Sequence, residues 1–132
     1  MDADVLYHPS ILFDVMALER GFAIDVDVTP GDEEMMIGVE GGKARAIRRG
    51  LAPGGYDLIG EGVGFFALER RMLPRLMAAI DASDPEGDYE AALDLLIGEH
   101  GADYVPVAGR PWIEIDFPED VAQAEDAVLP RI

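Results

Sequence analysis

The mixed character of the fold is decided by residues 34–49, which have the sequence EMMIGVEGGKARAIRR. Residues 34–40 and 43–49 flank Gly41 and Gly42, and two glycines between two such runs are a strong signal for a tight β-hairpin. A hairpin joins antiparallel strands. We therefore expect a sheet that is not purely parallel.

Strands and helices alternate on both sides of this hairpin. Phe22, Ile24, Val26 and Val28 recur at every second position, a pattern typical of a half-buried strand. Further strands are predicted at residues 56–68, 104–107 and 112–115, and helices at residues 9–19, 72–80, 89–100 and from residue 118 onward. This order predicts an α/β fold with a mixed β-sheet and flanking helices.

Glycines mark two positions of interest. Gly21 follows the first predicted helix and is expected to end it at the C′ position. The strand predicted at residues 56–68 contains Gly60, Gly62 and Gly64. Because glycine weakens a strand, three of them indicate the close approach of a ligand or of another backbone.

Composition and charge exclude several classes of protein. The chain has 132 residues, 10 basic and 27 acidic side chains, a formal charge of −17 and no cysteine. Nucleic acids and anionic membranes are bound through basic patches, which this balance disfavours. The lack of cysteine excludes disulfides and thiolate metal sites, and it agrees with a reducing compartment. We expect a cytoplasmic protein with no membrane span and no nucleic-acid partner.

Two aspartates at strand ends are the best candidates for chemistry. Asp4 precedes Val5-Leu6-Tyr7, and Asp116 follows the strand predicted at residues 112–115. In open α/β sheets ligands bind at strand ends, and two carboxylates brought together there would repel unless a cation such as Mg²⁺ lay between them. From spacing alone, Asp116 is better explained as a carboxylate at a helix start, and Asp4 as a solvated terminal charge.

Four segments together resemble a known family. They are PWIEIDFPED at residues 111–120, DVLY at residues 4–7, YDLIGEGVGF at residues 56–65 and DYEAAL at residues 88–93. Their sequences and order resemble nucleotidyltransferases of the nucleotide-diphospho-sugar transferase fold, in the phosphocholine cytidylyltransferase-like branch. The resemblance implies the C-terminal, acceptor-side half of a Rossmann-like (GT-A-like) domain, extending over residues 1–132.

The resemblance also implies roles for particular residues. Asp4 and Asp116 match the carboxylates that hold Mg²⁺ against the nucleotide phosphates. Glu61, Tyr89 and Glu90 match positions near the phosphorylated acceptor. Lys43 lies on the hairpin, where a cation of the family can approach the substrate phosphate.

Two departures from the family pattern stand out. Phe117 occupies the position where the family usually has a small hydroxyl residue, so the last helix lacks a side-chain N-cap unless Asp116 or water substitutes. The glycine- and arginine-rich nucleotide-binding half, which the resemblance places before Asp4, is not among these 132 residues. The first strand would then lack neighbours, and we expect a homodimer or association through the exposed sheet edge.

The implied reaction is nucleotidyl transfer from CTP or another NTP to a phosphorylated small alcohol, with release of pyrophosphate. Carboxylates and an aromatic ring favour an acceptor with a cationic head, such as phosphocholine, phosphoethanolamine or an aminophosphonate. This chain alone is expected to be inactive. The alternatives are a sugar-1-phosphate nucleotidyltransferase and a non-catalytic remnant used for dimerisation or regulation.

Overall fold

The structure is a computed structural model that describes residues 3–29, 34–84 and 88–132. Its strands are β1 (Val5–Tyr7), β2 (Arg20–Asp25), β3 (Met36–Glu40), β4 (Lys43–Arg48), β5 (Leu58–Leu68), β6 (Asp103–Pro106) and β7 (Trp112–Glu114). Its α-helices are α1 (Pro9–Met16), α2 (Leu73–Ala82), α3 (Glu90–His100) and α4 (Pro118–Gln123). No helix in these described ranges is long and apolar enough to cross a membrane.

A mixed five-stranded sheet forms the centre of the fold. Its strand order is β4-β3-β5-β2-β6, in which β2 and β6 run parallel and the other neighbours run antiparallel. The hairpin predicted at Gly41-Gly42 joins β3 to β4, and both glycines have the positive φ angles that such a turn needs, 58° and 75°. The predicted α/β class with a mixed sheet and flanking helices is confirmed.

The glycines of β5 accompany a bulge. Phe22 of β2 pairs with Phe66, but Ile24 pairs with Gly62, so residues 63–65 of β5 lie opposite residue 23 alone. Gly64 has a φ of 70°, which favours glycine, and a Cβ atom on Gly60 would lie 2.6 Å from the carbonyl oxygen of Asp25. The predicted close approach of another backbone is therefore confirmed for Gly60.

The five-stranded sheet curls until its two edges meet at one end. Ala44 of β4 and Ala102, just before β6, exchange two backbone hydrogen bonds of 2.8 and 3.0 Å. Helix α3 packs against the sheet and buries Leu93 and Ile97 in the main core cluster. This closure leaves less free backbone at the edges of the sheet than an open sheet would expose.

Strands β1 and β7 form a separate two-stranded ribbon, which contains residues of the first and the last segment that resemble the family. Strand β1 pairs antiparallel with β7, with Val5 opposite Glu114 and Tyr7 opposite Trp112. The expectation that the first strand has no neighbouring strand is therefore wrong. The ribbon packs on a second core cluster, where the rings of Tyr7 and Phe65 meet edge to face with centroids 4.4 Å apart.

Helix α1 is shorter than the sequence pattern predicts. It ends at Met16 rather than at residue 19, and Gly21 lies inside β2 rather than at the helix end. A Cβ atom at Gly21 would lie 2.6 Å from the carbonyl oxygen of Asp103 on the parallel neighbour β6. Gly21 thus serves the close approach of two strands rather than a helix C-cap.

Candidate functional site

Three exposed carboxylates meet at one end of the ribbon. Because β1 and β7 are antiparallel, the residue before β1 and the residues after β7 lie at the same end, and a backbone hydrogen bond of 2.9 Å joins the Ile115 amide to the Asp4 carbonyl. One carboxylate oxygen from each of Asp4, Glu114 and Asp116 lies within 4.8 Å of the other two. We call this group the ribbon triad. Carboxylate oxygens are the protein ligands that a hard divalent cation such as Mg²⁺ takes, so the ribbon triad is a candidate cation site.

The start of helix α4 holds the backbone beside Asp116. Phe117 provides no side-chain cap, but Asp120 reaches back and its Oδ2 accepts hydrogen bonds from the amides of Asp116 and Phe117, at 3.0 and 2.8 Å. A carboxylate in the first turn of a helix is also favoured by the helix dipole. Asp120 thereby fixes the backbone at the end of the ribbon that carries Asp116.

A cavity of about 750 Å³ lies beside the ribbon triad and is strongly acidic. Its acidic lining residues are Asp25, Glu34, Glu61, Glu90, Glu114, Asp116 and Asp120. Arg49 is the only basic residue among the described residues that line it. A negative potential of this kind attracts cations and makes the cavity a poor site for an anion that lacks a counter-ion.

Glu61, on β5, lies in the part of the cavity wall that the five-stranded sheet forms. It is paired across the strands with Asp25 of β2, which places two like charges side by side. The pKa of Glu61 is raised from 4.5 to about 7, first by burial and then by the negative charges of Glu34, Asp25 and Glu114. Either a proton or a bound cation would relieve this repulsion.

Aromatic rings complete the cavity wall. They belong to Phe22, Phe65, Phe66, Tyr89, Trp112 and Phe117. The indole Nε1–H of Trp112 donates a hydrogen bond of 2.7 Å to Asp25 Oδ2. Aromatic faces beside carboxylates suit an organic cation better than a bare metal ion, because both attract positive charge and the rings add apolar contact.

Arg49 supplies positive charge at the side of the cavity formed by helix α3. Its Nη1 contacts the carboxylate of Asp88, which lies just before α3, and Tyr89 and Glu90 at the start of that helix line the same cavity. A phosphate entering an otherwise acidic cavity needs such a group, since a guanidinium can bind phosphate through paired hydrogen bonds. Arg49 is thus suited to contact the anionic part of a ligand.

The structure brings together most of the residues that the sequence singles out. Asp4 and Asp116 lie together in the ribbon triad, and Asp116, Glu61, Tyr89 and Glu90 line the cavity. Lys43 does not line it; its Nζ is 2.5 Å from Asp103 Oδ1, beside the Ala44–Ala102 bridge.

Sequence reasoning missed several residues of the site, namely Asp25, Glu34, Arg49, Trp112, Glu114 and Asp120. The sequence could have indicated Glu114, because it stands two residues before Asp116, and side chains two residues apart in extended chain project to the same side.

Compared with protein-family models and with curated proteins, the sequence matches none. The resemblance to nucleotidyltransferases therefore stays a hypothesis that depends on the four sequence segments.

Proposed function

We propose that this chain is the acceptor-side part of a Mg²⁺-dependent nucleotidyltransferase of the phosphocholine cytidylyltransferase-like branch. The observation that carries the proposal is the ribbon triad beside a cavity of about 750 Å³ that combines carboxylates, aromatic rings and one arginine. The α/β fold with a mixed five-stranded sheet is compatible with the Rossmann-like fold of that family.

The proposed reaction transfers a nucleotidyl group from CTP to a phosphorylated amino alcohol. A phosphate oxygen of the acceptor attacks the α-phosphorus, a new P–O bond forms, and the bond to the pyrophosphate leaving group breaks. Mg²⁺ held by Asp4, Glu114 and Asp116 would neutralise phosphate charge. Positioning of the two substrates supplies much of the catalysis in such a transfer, without a covalent intermediate.

In this proposal, different residues of the cavity contact different parts of the acceptor. Glu61 and the ring of Trp112 face the cationic head, while Arg49 contacts the acceptor phosphate. The acidity of the wall supports a cationic head over the neutral hydroxyls of a sugar 1-phosphate, which would want neutral hydrogen-bonding side chains. Tyr89 and Glu90 would close the side of the acceptor nearest helix α3.

The test is a binding titration of the 132-residue chain by calorimetry. We expect Mn²⁺, used in place of Mg²⁺, to bind the wild-type chain, and phosphocholine to bind more tightly than glucose 1-phosphate. Binding of glucose 1-phosphate in preference to phosphocholine would select the sugar-1-phosphate alternative. Absence of binding for both Mn²⁺ and phosphocholine would exclude the proposed function.

Turnover provides a second test. We expect no pyrophosphate release when these 132 residues are mixed with CTP, Mg²⁺ and phosphocholine, because the nucleotide-binding half that the resemblance implies is not among them. Release of pyrophosphate would show that the nucleotide site lies within these residues and that the division into halves is wrong.

Exposed apolar side chains support the proposed association with a second polypeptide. Phe13 and Met16 lie one turn apart on α1 and are 66% and 68% exposed. Apolar groups placed side by side in water favour association. Light scattering after gel filtration should show a homodimer; a monomer that binds no hydrophobic dye would contradict this part of the proposal.

A further inference from the structure

Asp25 and Trp112 connect the two parts of the site. Asp25 is the last residue of β2 in the five-stranded sheet, and Trp112 is the first residue of β7 in the ribbon. Asp25 Oδ2 accepts the indole hydrogen bond of 2.7 Å, and its Oδ1 accepts a bond of 3.0 Å from the Asp27 amide. Both oxygens are therefore engaged within the protein, which orients the Asp25 carboxylate toward the ribbon.

Trp112 can pass this restraint to the ribbon triad. Side chains two residues apart in a strand project to the same side, so Trp112 and Glu114 share a side of β7. The indole also packs against the second core cluster, which contains Val63 and Phe65 of the β5 bulge. A shift of the ribbon along the sheet would break the hydrogen bond and disturb this packing together.

We propose that Asp25 is a positioning residue for the ribbon triad. Through the indole N–H of Trp112 it fixes the β1–β7 ribbon against the five-stranded sheet and sets the separation between the triad and Glu61. This inference rests on the proposed function, because that separation matters only if the triad holds a metal ion and Glu61 faces an acceptor. In transfer between two bound substrates, a misplacement of about 1 Å can cost about a hundredfold in rate.

The test uses Mn²⁺ affinity and the fluorescence of the single tryptophan in the full 132-residue chain. Asp25→Ala removes the acceptor and Trp112→Phe removes the donor while keeping an aromatic ring. We expect each to weaken Mn²⁺ binding about tenfold, as is common for residues that act through a metal ligand's neighbours. The double variant should be no weaker than either single variant, because both remove the same bond.

Asp25→Asn is the conservative variant, since its amide oxygen can still accept the indole hydrogen bond and only the exposed bond from the Asp27 amide is lost. We expect it to bind Mn²⁺ like the wild type and to keep the wild-type emission maximum, whereas Asp25→Ala should shift the emission to the red as water reaches the indole. Asp27→Ala is the matched control, because it removes a neighbouring carboxylate and leaves its backbone amide in place. Thermal unfolding of every variant separates loss of fold from loss of position.

Three outcomes with the variants would overturn the inference, and so would one with the wild-type chain. Equal weakening by Asp25→Asn and Asp25→Ala would mean that the charge acts on the ion directly. Additive losses in the double variant would mean that the two side chains act separately. Unchanged Mn²⁺ affinity in folded Asp25→Ala and Trp112→Phe would mean that the bond is only structural. If the wild-type chain binds no Mn²⁺, the ribbon triad holds no metal ion and this inference is excluded; the proposed function is excluded as well only if phosphocholine does not bind either.

Discussion

Carboxylates lie on two sides of the same site, and exposure to water distinguishes them. Asp4, Glu114 and Asp116 on the ribbon are exposed, whereas Glu61 on the sheet is half-buried and has a pKa raised to about 7 by burial and by neighbouring carboxylates. An exposed carboxylate can share a hydrated metal ion, because the ion keeps part of its water shell. A half-buried one instead favours a proton or an organic cation that replaces the lost water. Equal charges can thus select different ligands.

The largest effect on ligand binding is expected from a substitution in the exposed ribbon triad. Asp116→Asn should weaken Mn²⁺ binding by about a hundredfold or more. Removing a metal ligand should cost more affinity than removing a residue that only contacts a ligand. Stability should be unchanged or slightly higher, since the variant removes one of three mutually repelling charges. Calorimetric titration and thermal unfolding measure both.

Asp126→Asn is the matched control for this variant. Asp126 is exposed in the C-terminal turn Ala124–Val128, and it does not belong to the ribbon triad. It should leave Mn²⁺ affinity unchanged. Equal affinity of wild type and Asp116→Asn would remove the triad as a metal site and with it the contrast between the two groups of carboxylates.

If the proposed function is right, Glu61→Gln should weaken phosphocholine binding about tenfold, because it removes the charge assigned to the cationic head of the acceptor. Its Mn²⁺ affinity should change much less. Glu40→Gln, at the exposed end of β3, is the control and should alter neither affinity. If Glu61→Gln weakened Mn²⁺ binding as strongly as Asp116→Asn does, the two groups would form one metal site and the distinction would fail.

The same variant should change how stability depends on pH. Because the folded-state pKa of Glu61 is raised from 4.5 to about 7, its contribution to stability is fully present below about pH 4.5 and is lost as the pH rises through 7. Glu61→Gln should therefore match the wild type near pH 4.5 and exceed it above pH 7. We expect a gain of about 1 kcal/mol, well below the full equivalent of the shift, because solvent screens a half-buried group. A constant difference in melting temperature across pH 4.5–8 would contradict the raised pKa.

Local patterns predicted much of the fold. The hairpin followed from Gly41-Gly42, and the alternation of strands and helices gave the α/β class with a mixed sheet. The shorter α1 could not be predicted, because Gly21 looks the same whether it ends a helix or allows β2 and β6 to approach. The pairing of β1 with β7 was also inaccessible, since it joins opposite ends of the chain.

The candidate site was predicted only in part for a related reason. Asp4 and Asp116 came from strand ends and the resemblance, and the structure brings them together. Asp25 and Glu61 become partners only after β2 pairs with β5, and the bulge at residues 63–65 then shifts their register. A register set by long-range pairing has no trace in local periodicity. The hydrogen bond between Trp112 and Asp25 depends on the same arrangement.

A smaller effect is expected at Asp120, which holds the backbone beside Asp116 and is not itself a proposed metal ligand. Asp120→Ala removes the acceptor for the amides of Asp116 and Phe117 and should weaken Mn²⁺ binding several-fold, up to about tenfold. It should also lower stability by about 1 kcal/mol, the usual cost of losing a helix N-terminal contact. Glu119→Ala, in the same turn of α4, is the control and should lower neither by as much. Equal effects of the two variants would mean that general charge near α4, not the orientation of Asp116, is what matters.

The smallest effect is expected at Lys43, which lies outside the cavity, where the two edges of the sheet meet. Its ion pair with Asp103 is half-exposed and lies beside the Ala44–Ala102 bridge, so Lys43→Met should lower stability by at most about 1 kcal/mol. Asp103→Asn should have the same effect, because it breaks the same pair. Neither variant should change the affinity for Mn²⁺ or phosphocholine, since Lys43 does not line the cavity. Weaker phosphocholine binding in Lys43→Met but not in Asp103→Asn would show that Lys43 leaves its partner to reach the ligand phosphate, which would assign it the role that the family resemblance implies.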